Sequence, residues 1–202
     1  MSNTYHFVSR WRVEGTCGEV ADILGDPLSL PRWWPSVYLS VTELRPPDAR
    51  GLGRRVALVT KGWLPYTIAW EFEVVESRYP SGFVIAAGGE FDGRGEWTFV
   101  QDGAYVDAVY DWRLRAEKPL LRDLSFLLWP LFEANHRWAM AQGEESLKLE
   151  LLRRRATNEQ DLACVPAPPG PVTYEGVVLL AGAAAIAGGL AYLMLRARRR
   201  ES

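Results

Sequence analysis

Residues 119–155 read PLLRDLSFLLWPLFEANHRWAMAQGEESLKLELLRRR, the longest stretch of the chain that mixes apolar and charged residues at helical spacing. Leu124, Leu128, Phe132, Ala139 and Leu149 recur at three- and four-residue intervals, the period of a helix with one wet face. Asp123, Glu133, Arg137, Glu144, Glu145, Lys148, Arg153 and Arg154 supply the charged remainder. Pro119 suits a first helical turn, where its missing N–H costs nothing. Pro130 removes a backbone hydrogen bond and crowds the preceding turn. The expectation is a short helix over about 120–128, a break or kink, and a long helix over about 131–155. Asn135 and Gln142 fall on or beside the apolar stripe, where a polar group needs a partner or a ligand.

Upstream, the period changes from helical to alternating. In 5–13, Tyr5, Phe7, Trp11 and Val13 share one side, with His6, Arg10 and Arg12 on the other, as in a half-buried strand. Thr16 and Glu19 have capping-box spacing for a short helix over about 17–24, ended by Gly25. The segment DPLSLPRWWPS then places three prolines around Trp33 and Trp34. It either seals one end of a core or forms the mouth of a cavity. Further strands are expected at about 36–45, 54–61, 66–76, 82–88, 91–100 and 105–115, with a hairpin at Asp102-Gly103. In 66–76, Tyr66, Ile68, Trp70, Phe72 and Val74 face one way; in 105–115, Val106, Ala108, Tyr110, Trp112 and Leu114 do. Strands in series with tight turns make an antiparallel sheet, and its apolar face needs a cover. The long helix is the element able to provide it. The fold class is therefore α+β, a curved antiparallel sheet of about seven strands wrapped around a long C-terminal helix.

Composition bounds the chemistry. The 202 residues carry 48% hydrophobic and 24% charged side chains, nine of them Trp, with a net charge of −2. No basic face for nucleic acid stands out. Cys17 and Cys164 are too far apart in sequence for a metal-ligand motif and favour a reducing compartment over a disulfide framework. No Ser-His-Asp set, HExxH or phosphate loop is present. The strand carboxylates Glu71, Glu73, Glu96, Asp107 and Asp111 lie opposite the aromatics, on a solvated face. His136 reads as a helix-surface or capping residue, and Gly93 and Gly95 as relief of crowding in a bent strand. No catalytic set, metal site or cofactor is expected.

Three stretches, PRWWPSVY (31–38), GGEFDGRGEWTF (88–99) and NHRWAMAQGEESL (135–147), together with the order of elements, resemble the helix-grip fold of the START and birch-pollen-allergen superfamily, also called SRPBCC. Within it the resemblance is to bacterial polyketide cyclase/dehydrase or lipid-transport proteins, over about residues 5–155. It implies a deep apolar cavity between sheet and helix that holds a hydrophobic small molecule or lipid. It also implies an alternative, a cyclase/dehydrase-type enzyme acting on a hydrophobic chain in the same cavity. An aromatic inner face can equally be a filled core, and the resemblance favours the cavity. The ligand-binding candidates are Trp33, Trp34, Tyr66, Trp70, Trp97, Tyr110, Trp112, Asn135 and Trp138.

The chain is expected to divide into a helix-grip ligand-binding domain (1–156), a proline-rich linker (157–174), a transmembrane helix (175–196) and a short basic tail (197–202). Residues 176–195, GVVLLAGAAAIAGGLAYLML, are twenty residues without a charge, followed by RARRR. That length matches the hydrocarbon of a bilayer. Ala184 and Gly188, like Ala185 and Gly189, have small-residue spacing that permits weak self-association of such helices. The arginines after the span favour a cytoplasmic C-terminus. The absence of an N-terminal signal outweighs them, which predicts a single-pass membrane protein with its main domain in the cytoplasm.

Overall fold

The computed structural model describes residues 4–89, 92–115 and 125–173. The chain divides into two units, Met1–Pro171 and Val172–Ser202. The expected membrane span lies outside the described residues, among which no helix is long and apolar enough to cross a membrane.

Seven strands form one antiparallel sheet: β1 (Thr4–Glu14), β2 (Tyr38–Arg45), β3 (Arg55–Lys61), β4 (Thr67–Ser77), β5 (Gly82–Gly89), β6 (Asp92–Asp102) and β7 (Tyr105–Arg115). Their order is β1-β7-β6-β5-β4-β3-β2, so consecutive strands pair except at β1. β1 and β2 are the two edges, and the link between them carries the short helices α1 (Cys17–Leu24) and α2 (Leu30–Trp33), with a 3-10 turn at Pro27–Ser29. The turn at Asp102-Gly103 forms as expected, with Gly103 at φ +59°, a conformation that a side chain resists.

The start of α1 is capped reciprocally. The Glu19 N–H donates to Thr16 Oγ1 at 3.2 Å, and the Thr16 N–H donates to Glu19 Oε2 at 2.8 Å. Arg155 then clamps the same carboxylate at 2.8 and 3.0 Å, tying the start of α1 to the last residue of the long helix. These bonds, those from Arg155 foremost, hold the Glu19 carboxyl down to about 2.

The long helix, α3, runs unbroken from Ser125 to Arg155 through Pro130, where a break or kink was expected. Pro130 is the sixth residue of the helix and is exposed, so the one carbonyl that loses its partner lies in the first turns, where a helix frays toward water. Residues 120–124 of the expected first helix lie outside the described residues. α3 packs along the inner side of β1: Phe132 meets Tyr5 edge-on at 6.2 Å, and His136 stacks on Phe7 at 4.5 Å. His136 is thus part of the sheet–helix contact, not the helix surface, because its ring is flat enough to stack against Phe7. Lower down, the buried stripe of α3 is Met140, Gly143, Ser146, Leu147, Glu150 and Leu151, whereas Leu149 lies only partly buried to one side.

Past α3, residues Glu159–Cys164 form one short helix, α4, inside the stretch expected to be an aperiodic linker. Asn158 caps it, accepting from the Asp161 N–H at 2.8 Å.

The outer face of the sheet is a lattice of ion pairs, as its carboxylates suggested. Glu71 pairs with Arg55 at 2.7 Å, Glu73 with Arg45 at 2.6 Å, Glu96 with Arg78 at 2.7 Å and Asp107 with Arg12 at 2.7 Å. Asp111 lies between Arg113 at 3.0 Å and His6 at 3.1 Å. Most of these groups are a third or more exposed, so each pair contributes little stability.

Candidate functional site

The inner face of the sheet is a connected path of aromatic rings. It follows from the pleat: alternate residues of β1, β4, β6 and β7 point the same way, and the sequence places Trp, Tyr or Phe at most of those positions. Trp97 and Tyr110 lie directly opposite on β6 and β7, which stacks their rings at 4.5 Å and 22°. From there the path runs through Tyr110–Trp112 (5.8 Å), Trp112–Trp70 (5.8 Å) and Trp70–Phe72 (5.9 Å). In the other direction it runs through Trp97–Trp11 (4.9 Å), Trp11–Trp34 (5.4 Å) and Trp34–Trp33 (5.5 Å). Gly95 makes this possible. A Cβ there would strike the Tyr110 hydroxyl and the Trp112 ring, so the crowding it relieves comes from rings on β7.

Seven of the nine candidate residues belong to this interior or pack on it. Trp33, Trp34, Trp70, Trp97, Tyr110 and Trp112 are buried, and Trp138 is half-buried against them. Tyr66 is not brought in: it precedes β4 and is 41% exposed. Asn135 is brought near but is already engaged. Its Oδ1 accepts from the Leu64 N–H at 3.3 Å, and its side chain lies against Gly62, so it pins the loop between β3 and β4.

Polar atoms are scattered through this apolar interior. The indole N–H groups of Trp11, Trp33 and Trp34 are buried without an acceptor from the protein, as are the hydroxyls of Ser36 and Ser146. The Trp70 N–H, by contrast, donates to Thr60 Oγ1 at 3.0 Å. Burial pushes the phenols of Tyr38 and Tyr110 well up, and the two hydroxyls are close enough to feel one another electrostatically. Ser9, on the inner side of β1, was overlooked in the sequence because a lone serine among aromatics carries no pattern. Its hydroxyl lies 3.2 Å from His136 Nε2. Burial lowers the His136 pKa to about 4, so the imidazole is neutral near pH 7.

A cleft of about 270 Å³ lies at the far end of the sheet, floored by Leu24, Phe72, Val74 and Phe83 and flanked by Asp22, Asp26 and Arg54. None of the nine candidates lines it. Periodicity could not have pointed to it, because α1, the β2–β3 turn and the β4–β5 turn meet there only in three dimensions. Among the described residues, no group of three His, Cys, Asp or Glu side chains could hold a metal ion.

No protein-family model matches the chain, and no curated protein matches it. Solved structures do. TTHA0849 from Thermus thermophilus superposes with a TM-score of 0.62 at 15% identity, over 75% of this chain and 100% of that one. The Zhui aromatase/cyclase from Streptomyces sp. R1128 gives a TM-score of 0.61 at 16% identity, over 76% and 97%. A START superfamily protein from Mycobacterium smegmatis gives 0.50 at 12% identity, over 67% and 98%. At such identities the likeness concerns the backbone alone, and the backbone is a seven-stranded antiparallel sheet with a long helix along its inner face. The chain has a helix-grip fold, like the aromatase/cyclase and the START superfamily protein on which it superposes.

Proposed function

We propose that this protein binds a hydrophobic small molecule or lipid between its sheet and α3, and that residues 175–196 anchor it in a membrane with the domain on the cytoplasmic side. The observation that carries the reading is the aromatic path with unsatisfied donors along it. A filled core has no use for three indole N–H groups without acceptors, since each costs about 1–3 kcal/mol. A guest with an apolar body and a few oxygens relieves that cost and lies flat against the rings. The resemblance in fold to an aromatase/cyclase and a START superfamily protein supports a ligand of this kind. A membrane tether suits the task, because a lipid-soluble ligand then need not cross water.

The test is native mass spectrometry of the full chain released from mild detergent, with extraction and identification of what leaves it. A stoichiometric hydrophobic guest is the expected result. A chain that is empty after gentle isolation, and that takes up none of the extracted membrane lipids, would refute the proposal. Resistance of the protein to carbonate extraction, and of residues 1–172 to protease added outside intact spheroplasts, tests the anchor and its sidedness.

A second reading, a cyclase/dehydrase-type enzyme, draws on the Ser9–His136 pair inside the same space. An imidazole of pKa about 4 is a feeble base at neutral pH, which weighs against it. Loss of turnover of an offered polyketide-like chain in His136→Ala, with the fold intact, would raise the enzyme above the carrier.

A further inference from the structure

One ionic cluster lies apart from the interior. Glu150, on the buried stripe of α3, is 1% exposed, and three arginines converge on it. Arg32 of α2 grips it in bidentate fashion, Nη1 to Oε2 at 3.0 Å and Nη2 to Oε1 at 2.6 Å. Arg154 donates Nε to Oε1 at 2.9 Å, and Arg153 donates Nη1 to Oε2 at 3.2 Å. Burial works against the charged carboxyl, yet the bonds from Arg32 and Arg154 prevail and keep its pKa below the usual value. Both oxygens are now saturated, because a carboxylate offers about four lone-pair sites.

The charges do not balance. Three guanidiniums face one carboxylate, and with Asp26, which also acts on Arg32, these five groups keep a surplus of one positive charge. Each guanidinium has about five N–H donors, and the two at the rim are well exposed, Arg32 at 55% and Arg154 at 39%. With Nε turned to Glu150, both Nη groups of Arg154 are clear of it. The buried carboxylate thus gathers three guanidiniums, of which Arg32 and Arg154 reach water while Arg153 is less exposed. An array of this kind fits a tetrahedral oxyanion.

We infer that Arg32, Arg153 and Arg154 form a binding site for the phosphate headgroup of an anionic phospholipid. The assignment to a headgroup rather than to free phosphate rests on the membrane-anchored reading above and on the path of the chain. Arg153 Nη2 also donates to the Pro166 carbonyl at 2.9 Å, so the cluster itself holds the segment that leads on. Only residues 167–175 separate that carbonyl from the uncharged twenty-residue run. Nine residues extend to at most about 30 Å. A tether of that length lets the arginines reach an anionic leaflet, which attracts basic groups within a Debye length, ~10 Å.

The test uses the full chain in a neutral detergent and follows the Nε–Hε resonances of Arg32 and Arg154 by NMR. The probes are dihexanoyl phosphatidylglycerol, dihexanoyl phosphatidylcholine and inorganic phosphate. Saturable shifts with the phosphatidylglycerol, at concentrations at least about threefold below those needed for phosphate, are expected, with little response to the zwitterionic lipid. Arg154→Gln should weaken the response of Arg32 at least about threefold, and an unchanged melting temperature would show that the fold survives. Equal affinity for inorganic phosphate overturns the headgroup assignment in favour of a small-anion site. Unmoved arginine resonances overturn the site altogether, including the case where the lipid enters the interior instead. Neither result bears on whether the interior carries a guest, which the extraction experiment decides separately.

Discussion

The sheet and the helix that face each other in this domain are built from opposite materials. The inner face of β1, β4, β6 and β7 carries five Trp and Tyr rings in one path, from Trp11 through Trp97, Tyr110 and Trp112 to Trp70. The buried stripe of α3 carries Gly143, Ser146 and Glu150 among its leucines. The difference is one of volume. Small residues of α3 seat large rings: at Gly143 the ring of Trp34, which closes α2, occupies the space of the missing Cβ. The helix contributes position and polarity, and the sheet contributes apolar area.

That contrast is broken most severely from the sheet side. Trp112→Ala removes a 7% exposed ring with neighbours on both sides, and a loss of about 3–5 kcal/mol in stability is expected by urea denaturation. A smaller loss would mean that the rings line an adaptable space. Gly143→Ala probes the helix side. In an ordinary helix this change gains about 1 kcal/mol, but here the new methyl meets the buried Trp34 ring. A net loss of about 1–3 kcal/mol is expected, together with a changed Trp fluorescence spectrum. A gain would show that Trp34 gives way freely.

Asn135→Ala sharpens the distinction between a structural polar residue and a ligand anchor. It removes the acceptor of the Leu64 N–H, and a cost of about 1 kcal/mol with faster amide exchange at Leu64 is expected, without a change of ligand. Altered ligand selection with the loop still protected would restore Asn135 as an anchor. The last effect is absent at neutral pH. His136 has its pKa lowered from 6.5 to about 4 by burial, so the unfolded chain binds more protons between those values. The stability from keeping it neutral is full above about pH 6.5 and is lost as the pH falls through about 4. His136→Phe should flatten that part of the pH profile in thermal melts, and the NMR titration of His136 in the unaltered chain should show a midpoint well below 6.

Much of the architecture was legible because period-2 patterns are local. The strands of 66–76 and 105–115 declare their inner faces through Trp70, Phe72, Tyr110 and Trp112, and Thr16 with Glu19 announces the start of α1 within four residues. The candidate site was legible in part for the same reason. Residues that alternate with a visible aromatic pattern were found, whereas Ser9, which keeps the phase but not the chemistry, was not. Tyr66 keeps the phase of β4 and yet stands outside it, since the strand begins one residue later.

The sequence by itself determined the strand faces, the cap of α1, the need for a covering helix and the uncharged run at 176–195. Each is written within one segment, by spacing, side-chain class or length. Only the tertiary structure decided which face of α3 is buried, because Gly143 is buried to seat a ring from the end of α2 and Glu150 is buried to receive arginines from α2 and from its own helix. Neither residue is apolar enough to mark a stripe, so no hydrophobic period reports them. A helix passing through Pro130, a histidine stacked on Phe7 and a cleft where α1 meets two turns belong to the same class. They are set by what lies opposite in space, and that is information no single stretch of the chain contains.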